Sequence, residues 1–245
     1  MTKIVTMLVA AGCLMCANAG VKAGPVVNLG LVIDSSGSIG SGNFATVKSG
    51  YANALAGLPV DGSVAVAVDN FASNASYYGE SELFPDTLIS SSSDLTTLLN
   101  FINNMTYFGG STALSDAILT VGENMSAAGL GATKNVIDVS TDGGANDSTN
   151  NLYDPHQSSL DVIANDGIDQ VNCLGIGSYA DCSLQAGTGS FSYTEVTYGE
   201  FATILDQKIQ HEVTTTPEPG ALALFGAGLA ALGLLDLRRR RRAAQ

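Results

Sequence analysis

A short apolar run that stops in oxygen-bearing side chains constrains this chain more than any other feature. Residues 29–33 read Leu-Gly-Leu-Val-Ile, and a continuous apolar run suits a strand that is buried on both faces. Asp34, Ser36 and Ser38 follow, and they place three oxygen side chains at alternate positions where the strand ends. A hard divalent cation takes about six oxygen ligands. The stretch therefore predicts part of a cation site whose other ligands come from elsewhere in the chain.

Two later segments can supply further oxygens. The apolar run at 134–140 stops at Asp142, and a Gly-Gly turn at 109–110 is followed by Thr112 at the start of a predicted helix. Strand and helix patterns alternate through the chain, which favours an α/β fold with a doubly wound, mostly parallel sheet flanked by helices. Ligands of such sheets bind at the carboxyl ends of the strands. We therefore expect these segments to meet at one edge of the sheet.

Hydrophobic periodicity defines the individual elements of this fold. Ser41 or Asn43 can cap the first helix, and Asp94 the second. Predicted strands cover 26–33, 63–71, 77–84, 87–89, 134–140 and 170–176, and predicted helices cover 44–55, 95–102, 113–125, 160–165 and 200–213.

The oxygen pattern resembles the metal-ion-dependent adhesion site (MIDAS) of von Willebrand factor A (VWA) domains. All five ligand positions of that pattern are filled in order, by Asp34, Ser36, Ser38, Thr112 and Asp142. The resemblance implies a VWA/Rossmann-like domain over residues 25–213, with neutral hydroxyl ligands and with carboxylates that act directly or through water. It also implies a bound divalent cation, for which Mg²⁺ is the first choice and Mn²⁺ or Ca²⁺ the alternatives. The stretches IDVSTDGGAND, VNCLGIG and GTGSFSYTEVTYGEFATILDQKIQHEV are similar to an uncharacterised bacterial VWA-like family.

Both ends of the chain carry export signals. Residues 1–19 have a lysine, a short apolar core and a small-x-small cleavage pattern, which predict a secretory signal peptide. A lipoprotein signal at Cys13 is the alternative. At the other end, 214–220 reads as a linker, 221–237 as a hydrophobic helix and 238–245 as an arginine-rich tail on the cytoplasmic side.

The C-terminal arrangement closely resembles the PEP-CTERM sorting signal of Gram-negative bacteria. Its triplet is Pro217, Glu218 and Pro219, followed by the apolar helix and the terminal arginines. The resemblance implies processing by an exosortase, membrane attachment through the helix before processing, and export to the cell envelope or surface. A plain membrane anchor is the alternative reading.

The net charge of the exported part narrows the classes of possible partner. Between residues 20 and 216, four lysines oppose 21 acidic side chains, which leaves a net charge of −17. Such a surface repels nucleic acid and tolerates divalent cations.

Cys173 and Cys182 remain once the signal peptide is removed, and in an exported chain they predict a disulfide. A free thiol or a metal site is the alternative.

Competing interpretations of these motifs have weaker support. An Asp-x-Ser-x-Ser motif alone is often a helix-capping turn, and only Thr112 and Asp142 turn it into a site. Gly175-x-Gly177 mimics a dinucleotide-binding fingerprint, but the sequence after it does not open a helix. The chain has two histidines and no Gly-x-Ser-x-Gly elbow, so no hydrolase machinery stands out. Asp138, inside a strand, is interpreted as a structural carboxylate.

The sequence leads to two functional hypotheses. The first is a non-enzymatic, exported adhesion or binding protein that holds an acidic group of a protein or polysaccharide partner through its bound cation. The second is a structural component of the envelope or matrix in which a cation only stabilises the fold.

Overall fold

A computed structural model describes residues 25–73, 81–148 and 154–214 of the chain. The predicted signal peptide, the Pro-Glu-Pro triplet, the C-terminal apolar helix and the arginine tail lie outside these residues. Within the described part, no helix is both long and apolar enough to cross a membrane.

One mixed sheet forms the centre of the domain. Its strands are β1 (Val27–Asp34), β2 (Val64–Phe71), β3 (Ser81–Leu88), β4 (Lys134–Thr141), β5 (Gln170–Ile176), β6 (Ala186–Gly187) and β7 (Ser192–Val196). The order begins β3-β2-β1-β4-β5, and both β6 and β7 pair with β5. Strands β2, β1, β4, β5 and β7 run parallel, whereas β3 and β6 are antiparallel to their neighbours.

Within the described ranges, five α-helices cover the two faces of the sheet. They are α1 (Ser41–Leu55), α2 (Ser92–Asn104), α3 (Leu114–Ala128), α4 (Pro155–Asn165) and α5 (Phe201–Thr214). Helices α1, α2 and α5 contribute to one apolar core, and α3 and α4 contribute to the other. The predicted mostly parallel α/β sheet with helices on both faces is therefore confirmed.

Several local predictions need correction. The N-cap of α1 is Gly40, and the side chain of Asn43 instead donates to the carbonyl of Ile39. The N-cap of α2 is Ser91, whose hydroxyl accepts from the main-chain N–H of Asp94. Helix α4 begins five residues earlier than predicted, at Pro155, because the Asp154 carboxylate caps its first turn. The short strands β6 and β7 were not predicted, since neither carries an apolar run.

A glycine in the centre of β1 allows helix α3 to pack directly on the sheet. A Cβ atom at Gly30 would lie 2.4 Å from the Val121 side chain and 2.6 Å from the sulfur of Met125. Real Cβ contacts are essentially never this short. The position therefore requires glycine for a close approach of helix and strand, which also fixes where the N-terminus of α3 lies relative to the end of β1.

Buried charges join α5 to the sheet. Lys208 is fully buried and forms ion pairs with Asp138 on β4 and, at 2.7 Å, with Glu212. Glu212 also accepts from the side-chain amide of Asn172 on β5 at 2.7 Å. Burial lowers the pKa of Lys208, but the two carboxylates more than offset this, so the pKa is raised and the lysine keeps its charge. Asp138, as predicted from its place in a strand, sits in a structural network.

The two cysteines of the domain link β5, which lies between β4 and β7, to the segment that follows it. Cys173 on β5 and Cys182 are joined in a disulfide, with Cα atoms 5.5 Å apart. The bridge attaches the short helical turn Cys182–Leu184 to β5, near the point where the chain returns as β6.

Candidate metal centre

The site begins with a tight turn at the end of β1. The Oδ1 atom of Asp34 accepts the main-chain N–H of Ser36 at 2.8 Å. Its Oδ2 atom accepts the hydroxyl of Thr141, the last residue of β4, at 2.7 Å. Asp34 and Ser36 are both buried, at 1% and 0% exposure. The carboxylate is thus fixed from both sides at the edge shared by β1 and β4, where the strand order reverses.

A chain of hydrogen bonds connects four of the five predicted ligands. The hydroxyl oxygens of Ser36 and Ser38 are 3.2 Å apart. The Ser38 hydroxyl donates to Oδ1 of Asp142 at 2.6 Å, across 104 residues of sequence. Ser38 is exposed and Asp142 is half-buried, so this part of the site faces solvent.

Thr112 reaches the same edge through its main chain. Gly109 N–H donates to the carbonyl of Ser35 at 2.9 Å, and Gly37 N–H donates to the carbonyl of Gly110 at 3.0 Å. The Gly-Gly loop therefore lies against the Asp34–Ser38 turn. Thr112 follows it and is 3% exposed.

Glycine is required where these two loops touch. Gly109 and Gly110 have positive φ angles of 76° and 75°, a backbone conformation that side-chain-bearing residues rarely adopt. A Cβ atom at Gly37 would lie 3.0 Å from the Gly110 carbonyl oxygen. The three glycines let the main chains of the two loops approach closely enough to hydrogen-bond to each other.

Asn146 fixes the Thr112 loop to the segment after Asp142. Its side-chain carbonyl accepts the N–H of Thr112 at 2.7 Å. The carbonyl of Thr112 in turn accepts the N–H groups of Asn146 and Asp147 at 3.0 and 3.2 Å. The loops that follow β1 and β4 and the loop that opens α3 are thus mutually hydrogen-bonded.

The spacing of the oxygens fits a hard cation. Neighbouring ligands held at about 2.0–2.1 Å from an octahedral Mg²⁺ lie about 2.9 Å from each other. The Ser36–Ser38 and Ser38–Asp142 oxygen pairs, at 3.2 and 2.6 Å, bracket that value. The donor set contains oxygen only, which suits Mg²⁺, Mn²⁺ or Ca²⁺. In the described residues, no cluster of three or more His, Cys, Asp or Glu side chains could hold a metal.

The electrostatics at this edge are those of a carboxylate pair. Burial raises the pKa of Asp34 to about 6, although hydrogen bonds from Ser36 and Thr141 oppose the rise, and the charge of Asp142 adds to it. Burial and the Asp142 charge raise the pKa of Tyr198, whose hydroxyl lies 3.4 Å from Oδ2 of Asp142. Uncompensated negative charge is therefore concentrated where the oxygens converge.

Three residues of the site were not predicted. Thr141 and Asn146 lie in the IDVSTDGGAND stretch, where the family resemblance was noted but no role was assigned to them. Thr141 directly precedes Asp142 and Asn146 follows it by four residues, and this proximity was the available signal. Tyr198 lies 56 residues after Asp142, and nothing in the local sequence connects the two.

Comparison with protein families identifies the domain. Residues 26–217 match the family model described as "Protein of unknown function (DUF1194)". The chain belongs to this DUF1194 family. Residues 215–242 match the PEP-CTERM protein-sorting motif, which indicates export to the cell envelope of a Gram-negative bacterium and handling by an exosortase. No curated protein matches the sequence.

Solved structures with the same fold are VWA-like. Proximal thread matrix protein 1 from the mussel byssus aligns with a TM-score of 0.59 and 18% identity over 76% of this chain and 48% of that one. The pilus adhesin SpaC from Lactobacillus rhamnosus GG aligns with a TM-score of 0.60 and 17% identity over 78% of this chain and 31% of that one. A von Willebrand factor type A protein from Catenulispora acidiphila aligns with a TM-score of 0.57 and 16% identity over 78% of this chain and 43% of that one. This DUF1194 chain therefore has the VWA fold but spans less than half the length of these proteins.

One of the solved forms of the mussel protein is described as having a zinc-occupied MIDAS motif. A metal-bearing MIDAS therefore exists within this fold. For the DUF1194 chain, coordination by Asp34, Ser36, Ser38, Thr112 and Asp142 stays a prediction.

Proposed function

We propose that this chain is an exported, non-enzymatic adhesion or binding protein that engages an acidic group of a protein or polysaccharide through a divalent cation. The observation that carries the proposal is the 2.6 Å hydrogen bond between Ser38 and Asp142, because it joins oxygens from the loops after β1 and β4 at an edge open to solvent. When bound, a divalent cation there supplies an open coordination position for a carboxylate.

The charge balance of the donor set supports an acidic ligand. Two carboxylates, Asp34 and Asp142, neutralise a divalent cation only formally, and three hydroxyls add no charge. The domain around them is strongly acidic, with no arginine before residue 238. This acidic surface repels an acidic partner. A bound divalent cation would offset that repulsion at the metal centre, so the metal centre is the natural place for such a partner to bind.

A groove beside the metal centre offers further contact area. It measures about 340 Å³ and is lined mainly by apolar surface, and Asp142 is one of its lining residues. Tyr179, which is 88% exposed, and Tyr198 both contribute to it. Flat, partly polar tyrosine rings suit both sugar rings and peptide side chains. The groove thus provides the rest of a binding surface for a ligand whose carboxylate reaches the centre.

The test is retention of an acidic probe by the purified domain. We would immobilise residues 20–216 and pass polygalacturonate over it in Mg²⁺ and in EDTA, with neutral dextran as the comparison probe and an acidic polypeptide, polyglutamate, as the second. The site variant carries Ser38→Ala and Asp142→Asn, and the control is Asp61→Asn. Asp61 is an exposed acid that precedes β2 and so lies toward the opposite ends of the parallel strands from the site.

Retention of either acidic probe that requires Mg²⁺ and is lost in the site variant but not in the control supports the proposal. Retention that is unchanged by EDTA and by the site variant contradicts it, and would favour the structural role of an envelope or matrix component.

A further inference from the structure

A second group of oxygens lies on the other side of the Thr112 loop. A small, partly open cavity of about 20 Å³ lies between the end of β2 and the first turns of α3. This is room for one water molecule or one ion of similar size. Its polar lining consists of Asp69, Ser73, Ser81, Asp116 and Thr120, and the remainder is apolar.

Asp69 is the unusual member of this lining. It is 2% exposed, and its Oδ1 atom is buried without a hydrogen-bond partner. No lysine or arginine within the described ranges forms an ion pair with it. Burial alone raises the pKa of Asp69 to about 7. An orphaned buried carboxylate oxygen costs free energy unless something in the cavity compensates it.

Asp116 brings a second carboxylate to the same cavity. It lies in the first turn of α3 and accepts the hydroxyl of Ser148 on Oδ1 at 3.1 Å. Ser73 contributes a hydroxyl oxygen that already accepts the N–H of Ser111 at 2.9 Å and so is fixed in position. Two carboxylates and a fixed hydroxyl around a space of one ion's size form an all-oxygen donor set, the kind that hard cations prefer.

We propose that Asp69 and Asp116, with the hydroxyl of Ser73, hold a second divalent cation, Ca²⁺ or Mg²⁺, in this cavity. The site is separate from the predicted MIDAS and shares no residue with it. A buried water could fill the same volume, but it would bring no positive charge to the unpartnered Oδ1 atom of Asp69.

The second site would act on the first through the Thr112 loop. Ser111 N–H donates to Ser73, and Ala113 N–H donates to the carbonyl of Ala72 at 2.8 Å, so both neighbours of Thr112 are tied to the end of β2. Asp116 lies one turn beyond Thr112 on the same helix. A cation between Asp69 and Asp116 therefore holds β2 and α3 together at the position that sets Thr112.

Counting bound cations in variants tests the proposal independently of the first site. The starting protein carries Ser38→Ala and Asp142→Asn, so that the predicted MIDAS is disabled. We would remove metal with EDTA, dialyse, and titrate Ca²⁺ and then Mg²⁺ by isothermal titration calorimetry. Asp69→Asn is added as the test, and Asp86→Asn as the matched control. Asp86 is a half-buried carboxylate whose Oδ1 also has no hydrogen-bond partner, but its Oδ2 accepts from Asn28 at 2.7 Å and it does not line the cavity.

The proposal predicts one equivalent of bound cation in the starting protein and in the Asp86→Asn control, and none in the Asp69→Asn variant. In EDTA, the melting temperature of the Asp69→Asn variant should equal or exceed that of its parent. Ca²⁺ should raise the melting temperature of the parent but not that of the variant. No bound equivalent in the starting protein, or an equivalent that survives Asp69→Asn, overturns it. A buried water alone would give the first of these results.

Discussion

The hydroxyl of Ser38 donates to the carboxylate of Asp142 at 2.6 Å, although 104 residues separate them in the chain. This contact is possible because β1 and β4 are parallel neighbours, with Ile33 opposite Ser140. Both strands therefore end at the same edge, and the turns that follow them come together. The parallel pairing of two strands is what converts two short polar segments into one site.

Thr141 should act as a positioning residue for Asp34. Thr141→Val keeps the volume but removes the hydroxyl that donates to Oδ2 of Asp34 at 2.7 Å. We expect the affinity for Mg²⁺ to fall about 10- to 100-fold, the usual effect of losing a group that orients a metal ligand. Calorimetric titration measures this, and Thr141→Ser, which keeps the hydroxyl, should bind nearly as the wild type does. Equal affinity in the valine and serine variants would contradict this role.

Lys208 should be essential for stability. Lys208→Met leaves Asp138 and Glu212 buried without their cation, and such losses cost about 3–5 kcal/mol. Urea unfolding of the variant measures the cost. Lys48→Met is the control, because Lys48 is only half-buried and donates to main-chain carbonyls such as that of Met105. Adding Asp138→Asn and Glu212→Gln to Lys208→Met should restore much of the stability. Similar losses in the Lys208 and Lys48 variants would refute the importance of the buried pair.

Glu212 should make the stability depend on pH. Burial, and then the charge of Asp138, raise the pKa of Glu212 to about 7, above the ordinary value of 4.5 for a glutamate. The folded state therefore holds this proton more tightly than the unfolded state, and the associated stability is complete below pH 4.5 and is lost as the pH rises through 7. In Glu212→Gln this loss is absent.

Urea unfolding between pH 5 and pH 8, in EDTA, measures the effect of Glu212. The unfolding free energy of the wild type should fall relative to that of Glu212→Gln as the pH rises. Asp206→Asn, on the exposed side of the same helix, should follow the wild type. A constant difference between wild type and Glu212→Gln over this range would mean that Glu212 does not titrate there.

The disulfide should contribute to stability under oxidising conditions. Cys173 and Cys182 are nine residues apart, and closing a loop of this length restricts the unfolded chain by about 2–3 kcal/mol. Dithiothreitol should therefore lower the melting temperature of the wild type. The double variant Cys173→Ala, Cys182→Ala should melt at a lower temperature and be insensitive to the reductant. A wild type that melts equally with and without dithiothreitol would contradict this contribution.

The features that could be predicted from the sequence are those that follow directly from whether a residue is apolar or polar. The apolar runs of β1, β2, β4 and β5 could only be buried strands, and polar residues directly after a parallel strand had to lie at the sheet edge. This reasoning predicted the sheet and the segments that form the site. The VWA resemblance added which oxygens of those segments correspond to metal ligands.

The rest depended on tertiary contacts that no local pattern encodes. Tyr198 lies beside Asp142 because β7 pairs with β5, and β7 has no apolar run to reveal it. Asp69 occupies what is otherwise an apolar strand, and its burial without a partner is visible only once α3 packs over β2. Lys208 was similarly hidden, because a lysine in an amphipathic helix is normally exposed.

The central claim, that the residues after β1 and β4 bind a divalent cation, is tested most directly by counting bound Mg²⁺. Equilibrium dialysis of metal-free wild type, of the Ser38→Ala, Asp142→Asn variant and of the Asp61→Asn control gives the number of equivalents per chain. We predict one equivalent fewer in the site variant than in the wild type, and no change in the control. The same number of bound Mg²⁺ ions in the wild type and the site variant would contradict the account.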